Sequence, residues 1–341
     1  MTRRMTEATP LDGVDLVLTD LDGVIYTGRY AIPHAVESIN AAAESVRIGY
    51  ITNNASRTPE SVAEHLNGLG LHVGSDDVVT SPQAAIKLLA TLVPAGSTIL
   101  VVGGVGLIDV VRAAGFEVTQ SADDSPAAVI QGFAPDVGWK QLAEAAYALA
   151  RDADGNGIPW VATNTDWTIP QERGIAPGNG TLVSAVHTAV GILPVVAGKP
   201  EVAIFEEAVA RFGAKSPIFI GDRLDTDILG ANRAGIPSVM VLTGIDHAKQ
   251  VLAAQPDSRP HFLLEDLRGL AEPYPIIEAG EDRDGSIVTR VGDAIVRRRA
   301  NIISIEHAGS RGIDLIRAGA GAVWTSGIPI YALEIPEALY A

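Results

Sequence analysis

The chain contains no cysteine, which excludes structural disulfides, thiolate nucleophiles and cysteine-ligated zinc. Positive charge is scarce as well: 25 Lys and Arg face 41 Asp and Glu, for a net charge of −16, and only five residues are lysine. This balance argues against a nucleic-acid or anionic-membrane surface, because such binding draws on many cations set against phosphates. An anionic small molecule would have to be drawn to a local positive site. No apolar run reaches the length of a membrane span. Met1–Gly13 carries Arg3 and Arg4 without the apolar stretch of a secretory leader, so a cytoplasmic protein is expected. Internal repeats and low-complexity segments are also lacking. What is present is 341 residues, 47% of them hydrophobic, which is enough for two or three domains with a core each.

The most informative residues are Asp20 and Asp22, in the run Val17-Leu18-Thr19-Asp20-Leu21-Asp22-Gly23-Val24. Val14 to Thr19 has the pattern of a short buried parallel strand, and open α/β sheets place their ligands at the C-terminal ends of such strands. Alternation along the strand predicts that Asp20 and Asp22 lean the same way. Two neighbouring carboxylates repel unless a cation or a proton lies between them, which points to Mg²⁺ or to general acid/base chemistry. A solvated acidic turn is the bland alternative for this motif taken alone.

Three further clusters follow apolar strands. Thr52-Asn53-Asn54, after Ile48 to Ile51, offers a hydroxyl, amides and backbone N–H groups before a helix, the makings of an anion cradle. Gly198-Lys199-Pro200 follows Val195-Val196-Ala197. Gly221-Asp222-Arg223-Leu224-Asp225-Thr226-Asp227-Ile228 follows Ile218-Phe219-Ile220 and repeats the arrangement of carboxylates at a strand end. Asp225 reads equally well as a helix cap, and Asn54 as a turn residue.

Strand and helix signals alternate along most of the chain. Helices are expected from Pro33 to Ser45, from Thr58-Pro59-Glu60 onward, and at about 107–114, 138–150, 181–190, 201–212 and 225–234. Strands are expected at Ile99–Val102, Ala128–Gln131, Trp160–Thr163 and Ser238–Leu242. After about Glu272 the pattern changes to a turn at Gly280–Ser286, a strand at Ala300–Ile305, a helix at Gly312–Ala318 and a second strand at Ile328–Ile335. Arg297-Arg298-Arg299 is read as a solvated strand end rather than an anion site.

In the order and chemistry of the four clusters, over about residues 14 to 268, the chain resembles the haloacid dehalogenase (HAD) superfamily of Mg²⁺-dependent phosphatases. Thr-Asn-Asn, Gly-Lys-Pro and Gly-Asp-Arg-Leu-x-Thr-Asp-Ile resemble its class IIA branch, which holds the NagD-like, p-nitrophenylphosphatase, phosphoglycolate phosphatase and pyridoxal phosphatase proteins. The resemblance implies an α/β fold: a Rossmann-like core with a parallel sheet at 1–83 and 195–271, an inserted α/β C2 cap at 84–194, and a small α+β extension at 272–341. In position that extension is similar to the acetyltransferase-like domain of the glycerol-3-phosphate phosphatase branch.

The resemblance also implies roles. Asp20 would be the nucleophile and a metal ligand, and Asp22 the general acid/base with its backbone carbonyl on the metal. Asp222 would complete the Mg²⁺ site, with Asp227 behind it. Thr52, Asn53 and Lys199 would bind the phosphoryl oxygens, and Asn164 and Asp166 in the cap would select the substrate. Pro177-Gly178-Asn179-Gly180-Thr181 is similar to the family's cap signature. A small phosphorylated metabolite is the expected partner, with no nucleic acid and no membrane, and a homo-oligomer is compatible with the sequence. Glycerol 3-phosphate leads as substrate, ahead of phosphoglycolate, pyridoxal phosphate and aromatic phosphates. Two other classes share parts of this pattern: a catalytically silent binding protein, and a dinucleotide-binding oxidoreductase suggested by Gly103-Gly104-Val105-Gly106, whose pattern fails at Asp109.

Overall fold

The computed structural model describes residues 8–55, 57–150, 155–171 and 173–340; Arg3 and Arg4 lie outside them. The chain divides into two compact units, one formed by residues up to Ile48 together with Lys215 onward, the other by Gly49–Ala214.

In the first unit, Phe262–Leu264, Ser238–Val241, Pro217–Gly221 and Leu16–Thr19 lie side by side in that order as parallel strands. Each is a short apolar run, buried along nearly its whole length, as a parallel sheet covered on both faces requires. The helix Ala35–Ala43 buries Ala35, Ile39 and Ala42, one stripe of its surface.

The expected helix at 225–234 forms differently. Leu224–Ile228 makes one wide π-type turn before α-helix resumes at Leu229–Arg233, and such turns favour functional sites.

The C-terminal segment adds a four-stranded antiparallel sheet, Glu278–Glu281, Ile287–Val291, Ala294–Arg299 and Ile302–His307 in sequence order, and a helix, Gly312–Trp324. The helix runs six residues beyond its expected end at Ala318. The expected strand Ile328–Ile335 does not form. That segment holds a 3₁₀ turn at Ile330–Ala332 and touches the sheet through a single bridge between Ile302 and Glu334. Pro329 is the reason close at hand, since it has no N–H to offer a ladder.

This segment shares one hydrophobic core with the parallel sheet and its helices. Leu224, Ile228, Met240, Val251, Leu252 and Leu263 pack in the same cluster as Val291, Val296, Ile303, Ile313, Val323 and Leu339. A buried ion pair reinforces the join. Arg317 and Asp314 are 4% and 5% exposed and 2.6 Å apart, and Arg317 Nη2 and Nε donate to the Leu263 carbonyl at 2.7 and 2.9 Å. Arg297, expected at a solvated strand end, is tied to Asp282, Asp284 and Glu306.

In the second unit a five-stranded parallel sheet runs in the order Val195–Val196, Trp160–Ala162, Ala128–Gln131, Thr98–Val102, Glu117–Thr119. One face buries Leu100, Val102, Val129, Trp160 and Ala162 against the helices Trp139–Leu149 and Asn179–Val190. An antiparallel hairpin, Thr168–Gln171 with Gly174–Pro177, leads into the second of these helices. Tyr50–Thr52, the end of the strand Arg47–Thr52, pairs in parallel with Val78–Thr80. Among the described residues no helix is long and apolar enough to cross a membrane.

Candidate active site

Sheet register builds an acidic cluster in the first unit. Leu16 pairs with Pro217 and Thr19 with Ile220, and the second strand runs one residue further, to Gly221, so Asp20 and Asp222 leave the ends of adjacent strands. The Asp20 N–H donates to the Ile220 carbonyl at 2.8 Å, carrying the ladder one step past the strand. One oxygen each from Asp20, Asp222 and Asp227 lies within 4.8 Å of the others, and all three residues are buried.

Glycine makes room for this trio. Gly23, at φ 85°, and Gly244 press on the Asp222 carboxylate so closely that a Cβ would stand 2.3 and 1.9 Å from its Oδ2. The same oxygen accepts the Ile245 N–H at 2.7 Å. Asp227 is turned back by the π-type turn, and its Oδ2 accepts the N–H groups of Asp222 and Arg223, each at 3.1 Å. Its carboxylate thus stands within reach of those of Asp20 and Asp222.

Asp22 is exposed and is not one of the three. Alternation placed it beside Asp20, but the strand ends at Thr19 and the chain turns through Leu21–Tyr26, so the two-residue period no longer applies. The Tyr26 hydroxyl stands 3.5 Å from its Oδ2, a weak contact.

Asp246 lies outside the four motif clusters. Its carboxylate accepts the Leu224 N–H at 2.8 Å, and burial pushes its pKa up against the lowering effect of that bond, with Asp225 and Asp227 adding to the rise. A fifth strand end, Val241-Leu242-Thr243-Gly244-Ile245-Asp246, held the signal for both Gly244 and Asp246.

The second unit holds the other motif residues. Thr52 ends its strand, and its hydroxyl oxygen accepts the Asn54 N–H at 3.1 Å, which leaves the hydroxyl proton to donate. Asn53 is 9% exposed and spends its carboxamide on protein groups. Its Oδ1 accepts the Lys199 N–H at 2.8 Å, while Nδ2 donates to the Lys199 carbonyl and to Asp166 Oδ1, both at 3.0 Å. Lys199 is 3% exposed, unlike an exposed turn residue.

Asn164 is 4% exposed, with its Nδ2 donating to the Asn53 carbonyl at 2.7 Å and its Oδ1 accepting the Asp166 N–H at 3.2 Å. Asp166 is half-buried. The segment Gly178-Asn179-Gly180 packs on the back of this loop, where a Cβ at Gly178 or Gly180 would lie 2.2 Å from the carbonyl oxygen of Asp166 or Thr165. That contact gives the cap signature a physical reason. Gly103-Gly104 precedes the helix Val105–Ala113, in which Asp109 pairs with Arg112.

The fold and these strand-end clusters define a haloacid dehalogenase-type hydrolase. The haloacid dehalogenase-like hydrolase family matches residues 17–117, and the HAD-hydrolase-like family matches residues 196–270. D-glycerol 3-phosphate phosphatase of Mycobacterium tuberculosis is 41% identical over 310 residues, 91% of this chain and 86% of that protein. An acid sugar phosphatase of Staphylococcus saprophyticus is 33% identical over 69% of this chain and 88% of its own.

Among solved structures, the magnesium complex of the M. tuberculosis glycerol phosphate phosphatase matches with a TM-score of 0.78 and 39% identity, covering 94% of each chain. NagD from E. coli K-12 matches with a TM-score of 0.66 and 29% identity, covering 74% of this chain and 97% of its own. The chain therefore belongs to the haloacid dehalogenase-like hydrolases, in their class IIA branch, and is a phosphatase. The oxidoreductase reading has no support in these matches.

Proposed function

We propose that this phosphatase hydrolyses small phosphate monoesters, glycerol 3-phosphate foremost, through transient phosphorylation of Asp20. The observation that carries the chemistry is the buried trio Asp20, Asp222 and Asp227. Three carboxylates that close cannot all stay ionised in a buried site without a cation, and hard oxygen donors suit a hard divalent ion such as Mg²⁺. These side chains, with the Asp22 backbone carbonyl, would hold it. Once bound, Mg²⁺ offsets negative charge on the carboxylates and on the phosphoryl oxygens.

The chain's own groups do the rest. An Asp20 oxygen attacks phosphorus and the P–O bond to the leaving alkoxide breaks, with Asp22 supplying its proton. Asp22 then takes a proton from water, whose oxygen attacks the aspartyl-phosphate. Inorganic phosphate departs and the Asp20 carboxylate is restored. Exposure suits Asp22 to this task, since it must exchange protons with water and the leaving group. Lys199, the Thr52 hydroxyl and the Asn53 backbone N–H are assigned to the phosphoryl oxygens.

The substrate reading rests on coverage. NagD and the acid sugar phosphatase are matched over nearly their whole length yet account for only 74% and 69% of this chain, whereas the glycerol phosphate relative accounts for 94%. Asp166 is proposed as the cap's acceptor for substrate hydroxyls, with Asn164 holding its backbone. A panel of glycerol 3-phosphate, phosphoglycolate, pyridoxal phosphate and p-nitrophenyl phosphate, assayed with and without Mg²⁺, tests this reading. We expect Mg²⁺-dependent phosphate release with the highest kcat/KM for glycerol 3-phosphate. An aromatic substrate in first place would overturn the choice of substrate, and metal-independent release would overturn the mechanism.

In the same panel Asp166→Ala should cost glycerol 3-phosphate about tenfold more in kcat/KM than p-nitrophenyl phosphate, with the Mg²⁺ response unchanged. Equal loss on both would remove Asp166 from substrate selection. Gly244→Ala is expected to act at the other end of the chemistry. Its new methyl must displace the Asp222 carboxylate, and a shift of that size should lower turnover roughly 100-fold and raise the Mg²⁺ concentration required. Unchanged turnover would show that the position of Asp222 is not critical.

A further inference from the structure

A buried run of carboxamides links the cap signature to the backbone of Lys199. Asn179, 1% exposed in the first turn of the helix Asn179–Val190, donates from Nδ2 to the Asn164 carbonyl at 2.7 Å. Asn164 donates in turn to the Asn53 carbonyl at 2.7 Å, an oxygen that also accepts the Ser81 hydroxyl at 2.7 Å. Asn53 then closes a two-bond ring with the N–H and carbonyl of Lys199.

A carboxamide has two N–H donors and one oxygen, and Asn53 uses all three on Lys199 and Asp166. Packing leaves no slack at this point. A Cβ on Gly198 would stand 2.6 Å from the Thr163 carbonyl oxygen and 2.7 Å from Asn53 Oδ1. Hydrogen bonds in such a dry setting are strong and costly to leave unmade, so the position of one member constrains the next.

We propose that Asn179 is a positioning residue for phosphate binding, acting through Asn164 and Asn53 to fix the backbone that carries Lys199. This rests on the reading of Lys199 as a phosphate ligand. Asn179 Oδ1 is buried without a hydrogen-bond partner among the described residues, so the side chain is oriented by its donor alone. Replacing that donor with an oxygen, at constant volume, sets a carboxylate against the Asn164 carbonyl and should loosen the run at its far end.

The role differs from that of Asp166. A substrate contact changes which ester is preferred, whereas loosened phosphate positioning weakens every ester alike, and the product as well.

The test uses the full-length protein with Asn179→Asp, Asn179→Ala, Lys199→Ala and the double variant Asn179→Asp/Lys199→Ala. For Asn179→Asp we expect KM for every monoester, and the inhibition constant of inorganic phosphate, to rise by a common factor of about tenfold. kcat and the Mg²⁺ requirement should change less. The double variant should bind phosphate no more weakly than Lys199→Ala alone, because the first change acts through the second residue. Should Asn179→Asp fail to fold, Asn179→Ala, which removes the donor to the Asn164 carbonyl without adding a charge, should give the same signature.

Unchanged phosphate inhibition in Asn179→Asp, losses that multiply in the double variant, or a changed ranking of esters would each overturn the proposal. Wild-type phosphate inhibition in Lys199→Ala would instead overturn the phosphate-binding reading of that lysine, and the proposal with it.

Discussion

Asp20→Asn is expected to abolish turnover, by about 10⁴-fold or more, while leaving the fold intact. The amide is isosteric with the carboxylate but has no anionic oxygen to attack phosphorus. It also removes one charge from a buried trio, so relief of repulsion with Asp222 and Asp227 offsets any lost packing. The strand that presents the residue is held by the ladder from Leu16 to Thr19 and by the Asp20 backbone N–H, neither of which the substitution touches. Phosphate release and thermal unfolding, measured together, decide the matter. A folded variant with near-normal turnover would rule out the covalent route through Asp20.

Truncation near Glu272 is expected to have the largest effect on stability. The segment beyond it supplies Val291, Val296, Ile303, Ile313, Val323 and Leu339 to a cluster that also holds Val251, Leu252 and Leu263. Exposing those last three side chains alone costs about 5–9 kcal/mol at roughly 1.5–3 kcal/mol each. That is comparable with the whole stability of a typical domain, about 5–15 kcal/mol. The cut also strips the Leu263 carbonyl of its two Arg317 donors. Soluble yield and the midpoint of thermal unfolding should both fall sharply. A truncated chain that remained soluble with an unchanged midpoint would mean that the shared core contributes little. One that stayed folded and lost phosphatase activity would give the segment a direct part in the chemistry.

Much of the site was legible along the chain because its parts are local. An apolar run closed by Thr19-Asp20, Val195 to Ala197 closed by Gly198-Lys199, and Ile218 to Ile220 closed by Gly221-Asp222 each mark a buried strand that ends in polar chemistry. Neighbouring residues alone are enough to carry that mark. The capping of the helix Pro59–Gly68 by Thr58, and the apolar stripes of the long helices, were equally local. The position of the Asp227 carboxylate beside those of Asp20 and Asp222 was not. It depends on the strand stopping at Thr19 and on a wide turn at Leu224–Ile228, neither of which the two-residue or 3.6-residue period encodes. Asn164 read as a substrate contact because a polar residue after a strand faces the ligand by default. Its burial depends on Asn53, 111 positions away along the chain, as well as on Asp166 and Asn179 nearby.

The sequence by itself determined the class of chemistry: no thiol, few cations, and carboxylates, a lysine and an anion cradle set at strand ends in the order of a phosphatase. Composition and local pattern suffice to place those groups, since each strand and its closing residues are contiguous, and the resemblance of their order to the HAD phosphatases implies the chemistry. Only the tertiary structure decided which groups meet. The register of Leu16–Thr19 against Pro217–Gly221 brings together residues about two hundred positions apart, and Gly23 and Gly244 clear space that a side chain would fill. It also decided that the C-terminal segment shares its core with the parallel sheet instead of standing apart, because the apolar faces of Gly312–Trp324 and its strands find their cover in Val251, Leu252 and Leu263. Long-range packing selects among arrangements that local patterns leave equally open, and here it assembled the carboxylate trio and that shared core.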